Sequence, residues 1–187
     1  MNIVYKGKLG AICFILVAIC VIITKPHPGQ TNPDYQAQQE AEAQIEKEKV
    51  KIVEVVDGDT IKVTGFPDQY PEPVTVRLIG IDTPESVNPD ESLNNEYGQE
   101  ASDYMKDTYT GAIVYLEYDE ERTDSYGRTL AYVWYGNNMI QYDLLKKGYA
   151  RVMYVKPNVR YHSTFLQYED KARYDEAGFW ADYFKES

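Results

Sequence analysis

Three strand-like runs, KIVEVVDGD from Lys51, TIKVTG from Thr60 and VTVRLIGI from Val74, follow one another through turns too short to hold a crossover helix. Parallel neighbours need a connection of a dozen or more residues, so these runs must pair antiparallel. Their apolar-polar alternation and the Asp57-Gly58 turn pair point the same way. Two more runs, AIVYLEY from Ala112 and LAYVWY from Leu130, complete a set of five strands. Helical patterning separates the third strand from the fourth at NEYGQEASDYMKDTY, then returns at MIQYDLLKKGY and at YHSTFLQYEDKARYDEAG, where Gly178 is the expected terminator. The order predicts an α+β chain: a five-stranded OB-type barrel with about three helices. No internal repeat competes with that reading.

The barrel accounts for residues 50–187, and two other segments precede it. LGAICFILVAICVII, Leu9 to Ile23, follows Lys6 and Lys8 and precedes Lys25, Pro26 and Pro28. Cations ahead of an apolar run fit insertion with the N-terminus left in the cytoplasm and the remainder outside. Residues 1–25 therefore read as a membrane anchor or a cleaved signal segment, the latter giving a secreted protein. Residues 26–49 are polar and rich in Pro, Gln and Glu, a linker expected to be helical from about Asp34 to Lys49. Both cysteines, Cys13 and Cys20, lie in the apolar run, so no disulfide staples the folded part.

The net charge of −11 argues against a protein that coats nucleic acid through a basic surface. It does not argue against a local site. VRLIGIDTPE, Val76 to Glu85, puts a cation inside an apolar strand and ends on two carboxylates around a proline. DGDT, Asp57 to Thr60, serves either as a plain hairpin turn or as a carboxylate donor, and DSYGRTLAYVWY carries Arg128 on a loop leading into a strand. Asp59 and Asp82, with the Thr83 carbonyl, offer hard oxygens of the kind calcium accepts beside several waters. Glu85 could deprotonate an attacking water, and Arg77 and Arg128 could neutralise charge growing on a phosphate. The stretch DEER at Asp119 reads as a solvated turn, most of the 18 tyrosines as core and sheet-face residues, and His27 and His162 as surface polarity without a role.

VVDGDTIKV, VRLIGIDTPE, YGQEA, TDSYGRTLAYVW and LLKKGYARV with KPN, taken together and in this order, resemble the thermonuclease, or micrococcal nuclease, family from about Val50 to Asp182. The resemblance implies an OB-fold nuclease that uses calcium to hydrolyse DNA and RNA and leaves 3′-phosphate ends. By position it implies Asp59, Asp82 and Thr83 as metal ligands, Glu85 as general base and Arg77 and Arg128 as phosphate-binding catalytic residues. Tyr126 would contact a substrate phosphate and Tyr154 would line the nucleotide pocket.

The chain departs from the family at Ser125, where a lysine is expected, in a longer TGFPDQYPEPVT hairpin, and in its acidic balance. Repulsion by that balance should weaken substrate binding and flatten its salt dependence. The rival expectation is a catalytically silent OB module that binds polyanions or a protein partner. A monomer is expected in either case.

Overall fold

The computed structural model describes residues 46–65, 72–84 and 96–183. The apolar run Leu9–Ile23, most of the linker, residues 66–71 of the long hairpin, and Glu85 lie outside that set. No helix among the described residues is long and apolar enough to cross a membrane.

Strand β1 (Lys47–Val55) pairs antiparallel with β2 (Thr60–Gly65), and β2 with β3 (Val74–Leu78). β5 (Ile113–Glu117) joins the other side of β1 and is followed in space by β6 (Thr129–Tyr135). The ring closes where β3 and β6 pair in parallel, Val76 opposite Thr129, Arg77 opposite Leu130 and Leu78 opposite Ala131. This is the five-stranded barrel expected from the sequence. A short ribbon lies beside it, β4 (Ile81–Asp82) against β8 (Arg151–Val152), and β7 (Asn138–Met139) extends β6. Helices α1 (Glu96–Tyr109), α2 (Ile140–Lys146), α3 (His162–Tyr174) and the short α4 (Trp180–Tyr183) complete the described elements.

Alternation in β1 buries Val50 and Ile52 but leaves Val53 and Glu54 both exposed. A register shift between Ile52 and Glu54 absorbs the extra residue and returns Val55 to the interior. Inside the barrel these side chains meet Ile61, Val63, Val76, Leu78, Val114 and Leu116, while Met105, Leu144 and Phe165 cap the core from the helices. Burial of each such side chain is worth about 1.5–3 kcal/mol. Gln141 is a buried polar exception with an evident role. Its amide donates to the Ala131 carbonyl at 3.1 Å and accepts from the Val133 N–H at 3.2 Å, tying α2 to β6.

Two expectations are corrected here. Lys47–Lys49 are strand, not the end of a linker helix, because each pairs with β5, Lys47 with Glu117, Glu48 with Leu116 and Lys49 with Tyr115. Gly178 does not terminate the last long helix, which ends at Tyr174. Instead Gly178 lies against Gly148: a Cβ on Gly148 would stand 1.9 Å from the Ala177 carbonyl oxygen, so only glycine permits the approach.

DEER is also not wholly solvated. The Asp119 side chain is only 6% exposed, accepts from Tyr132 Oη at 2.9 Å and pairs with Arg160 at 3.2 Å. Next to it the fully buried Glu117 accepts from Trp134 Nε1, Arg160 Nη1 and Tyr161 Oη at 2.8–2.9 Å, and Lys47 lies 3.5 Å away. Arg160 thereby straps the segment leading into α3 onto the barrel. A chain beginning at Val50 loses three β1–β5 pairs and the Lys47 partner of Glu117. It should melt several degrees below a chain beginning at Glu46, on the order of 1–2 kcal/mol. Equal melting temperatures in calorimetry would show that these pairs contribute nothing.

Candidate active site

The turn between β1 and β2 is built by its own aspartates. The N–H groups of Val56 and Asp57 both reach the Thr60 carbonyl, at 2.9 and 3.3 Å, and Asp59 N–H reaches Asp57 Oδ1 at 3.1 Å. Gly58 is packed so closely that a Cβ there would lie 2.8 Å from the Thr83 side chain. The hairpin and the carboxylate donor are thus one structure. The Asp59 carbonyl accepts the Leu78 N–H at 2.9 Å, which fastens the turn to the end of β3.

Asp59 is 5% exposed and Arg77 is 8% exposed. Arg77 Nη2 lies between two carboxylates, 3.0 Å from Asp59 and 3.1 Å from Asp82. Its Nη1 donates to the carbonyls of Leu78 and Ile81 at 3.1 and 2.8 Å. Thr83 donates to Asp59 Oδ2 from its N–H at 3.0 Å and its hydroxyl at 3.2 Å, and Thr60 Oγ1 donates to Asp59 Oδ1 at 3.1 Å. Despite these partners burial pushes the Asp59 carboxyl up from 3.8 to about 6, because the attraction of Arg77 offsets only part of the desolvation and Asp57 adds repulsion.

These residues line a polar cavity of about 230 Å³ with Asp57, Pro84 and Arg128. Arg77 and Arg128 also line a larger neighbouring cavity of about 500 Å³, whose wall is more apolar and includes Leu78, Leu130, Met153, Val155 and Tyr126. Arg128 comes from the loop Asp124–Arg128, where Asp124 Oδ2 takes its Nε–H at 2.7 Å.

The structure therefore brings Asp59, Arg77, Asp82, Thr83 and Arg128 to one cavity, with Tyr126, 84% exposed, at the rim of the next. Tyr154 is 56% exposed and does not line either cavity, although Met153 and Val155 on either side of it do. Its ring packs on His162 at 4.7 Å, which gives that histidine a contact the sequence did not reveal. Glu85 follows Pro84, a residue of the cavity wall, but itself lies outside the described residues. Sequence reasoning passed over Asp57 and Asp124. The signals were there: Asp57 stands two before Asp59 in DGDT, and Asp124 four before Arg128.

The donor set suits a hard cation. It is all oxygen, with carboxylates from Asp57, Asp59 and Asp82 and hydroxyls from Thr60 and Thr83. Among the described residues no three or more carboxylate, imidazole or thiolate side chains are grouped so as to hold a metal ion by themselves.

The profile of the staphylococcal nuclease homologue family matches residues 75–182, a span that includes Arg77, Asp82, Thr83 and Arg128. The chain is 35% identical over 175 residues to the thermonuclease of Staphylococcus hyicus, covering 94% of this chain and 99% of that protein. It is 40% identical over 136 residues to the thermonuclease of Staphylococcus intermedius, covering 73% and 78% respectively. Against endonuclease YncB of Bacillus subtilis (strain 168) the identity is 38% over 160 residues, covering 81% and 72%. With the family profile matched over more than half of the chain and relatives aligned over most of its length, the chain belongs to the staphylococcal nuclease homologue family.

Proposed function

We propose that the chain is a calcium-dependent nuclease that hydrolyses phosphodiester bonds of DNA and RNA, leaves 3′-phosphate ends and acts as a monomer outside the cytoplasm. The observation that carries the reading is the convergence of two buried or half-buried arginines and three aspartates on one cavity that opens beside a nucleotide-sized one. The names of the thermonuclease and endonuclease relatives support it. The apolar run Leu9–Ile23 supports delivery to or across a membrane, as an anchor or as a cleaved segment.

Asp59, Asp82 and the Thr83 carbonyl are the residues assigned to calcium. When bound there, calcium supplies Lewis-acid polarisation of a phosphoryl oxygen. Arg77 enters already oriented by Asp59, Asp82 and two carbonyls, so little reorganisation accompanies charge build-up beside it. Arg128 approaches the same phosphate from the β6 side. Glu85 takes the proton from a water that attacks phosphorus, the bond from phosphorus to the 5′-oxygen breaks, and a solvent proton completes the 5′-hydroxyl. Tyr126 and the wall around Tyr154 receive the adjoining nucleotide.

The direct test follows cleavage of single-stranded DNA, duplex DNA and RNA by the full chain in detergent, with calcium and with chelator, across several salt concentrations. Calcium-dependent cleavage, with a shallower salt slope than a basic relative gives, is expected. A folded protein that binds calcium and oligonucleotide without cutting either polymer would overturn the reading in favour of the silent binding module.

A further inference from the structure

We propose that Asp124 is a positioning residue for Arg128: it grips the Nε edge of the guanidinium so that the terminal Nη edge is the one a phosphate in the cavity meets. The inference rests on the nuclease reading and deepens it.

The two arginines of the site are held in different ways. Arg77 is pinned at both Nη atoms by carboxylates and carbonyls of its own chain. Arg128 is pinned at Nε alone, by Asp124 Oδ2 at 2.7 Å, and no acceptor among the described residues meets its Nη atoms. The face of its guanidinium lies 5.5 Å from the Tyr126 ring. An arginine fixed along one edge keeps two parallel donors for bidentate contact with a phosphate, the geometry that gives such contacts their strength.

The two oxygens of Asp124 divide the work. Oδ1 accepts the N–H groups of Tyr126 and Arg128, both at 2.9 Å, and so shapes the loop. Main-chain bonds from Asp124 N–H to the Arg128 carbonyl and from Gly127 N–H to the Asp124 carbonyl, each 3.0 Å, close the same loop without the side chain. Gly127 takes φ 81°, which glycine adopts without strain. Oδ2 has no part in the loop and serves only the arginine. Partial burial works against ionisation of Asp124, but these N–H groups and the Arg128 charge outweigh it and hold the carboxyl below its usual range. The clamp therefore keeps its charge to lower pH than an ordinary aspartate would.

That division permits a selective variant. In Asp124→Asn the remaining oxygen still accepts the two loop N–H groups, while the amide nitrogen presents a donor to a donor at Arg128 Nε. In the full chain, acting on a single-stranded oligonucleotide with calcium, the variant should lose roughly ten- to hundredfold in kcat, with KM changed less than about threefold. The melting temperature should stay within about 3 °C, since the loop bonds survive. In an Arg128→Lys background, where no Nε–H exists, the same substitution should cost less than about threefold.

Equal losses of kcat in the two backgrounds would overturn the proposal, because a merely structural role adds in both. A second readout does not depend on hydrolysis. The ¹⁵Nε–H signal of Arg128 should be observable and slowly exchanging in the wild type and lost in Asp124→Asn, with the Tyr126 and Arg128 amide signals retained. If that signal is unchanged by the substitution, the clamp does not exist. If the signal behaves as expected but the wild type does not cut nucleic acid, the nuclease reading fails while the clamp stands.

Discussion

Replacing Asp59 by asparagine should make the calcium-free protein more stable near pH 8 while abolishing hydrolysis. The carboxyl is raised from 3.8 to about 6, chiefly by burial, so the folded chain holds its proton more tightly than the unfolded chain does. Its favourable contribution is complete below 3.8 and is lost as pH rises through about 6. Above that range the ionised, 5%-exposed side chain opposes folding, by an amount on the order of 1–3 kcal/mol. Asparagine removes the charge, keeps an acceptor for the Thr83 N–H and hydroxyl, and leaves Arg77 with Asp82 and two carbonyls. In scanning calorimetry the variant should melt roughly 3–8 °C above the wild type near pH 8, with the gap closing near pH 4. Added calcium should raise the wild-type transition and leave that of the variant unmoved, since only binding to the native state stabilises it. A variant that melts lower than the wild type near pH 8 would mean the Arg77 pair outweighs burial, and Asp59 would be a structural anchor. A variant that still cuts nucleic acid would remove Asp59 from the metal site.

The same balance explains why the fold was easier to read than the site. Strand periodicity in VTVRLIGI and the short turns before it dictated antiparallel pairing, whereas the parallel closure of β3 on β6, between residues far apart in the chain, left no local signal. Gly178 misled because a glycine after a helical pattern is an ordinary stop signal, whereas here its place is fixed by contact with Gly148, thirty residues earlier in the chain. Lys47–Lys49 misled because three charged residues in a polar stretch carry no strand signal, and their pairing comes from the β5 edge beside them. Asp59, Arg77, Asp82 and Arg128 were legible as a group because each is a charge set at the end of an apolar strand or in the turn beside one, and the barrel brings those ends to one cavity. Asp124 was harder to read, because its four-residue spacing to Arg128 equally fits a plain turn aspartate, and only the fold shows that one of its oxygens faces Arg128. Glu117 and Asp119 were hidden for a related reason. Carboxylates are read as exposed until an arginine such as Arg160 and tyrosine hydroxyls are seen around them.

Substituting Glu85→Gln should separate hydrolysis from binding more cleanly than any other single change. Glu85 follows Pro84, whose ring fixes one backbone dihedral at the wall of the cavity, and it stands three residues beyond Asp82. Glutamine preserves size and hydrogen bonding but cannot accept the proton of an attacking water. The loss in kcat should be on the order of 10²–10⁴, the usual worth of a general base. KM and calcium affinity should change little, because neither the aspartates nor the arginines are touched; this contrasts with Asp59→Asn, where calcium binding is lost too. The pH profile supplies an independent check. A base acts in its ionised form, so Glu85→Gln should remove one step from the acid limb of the wild-type rate and leave the step set by Asp59, whose carboxyl is raised to about 6. Residual cleavage above the uncatalysed rate would then measure what Arg77, Arg128 and the metal contribute without a base. A loss smaller than about tenfold, with the acid limb of the profile intact, would assign proton removal to another group and leave Glu85 an orienting role at most.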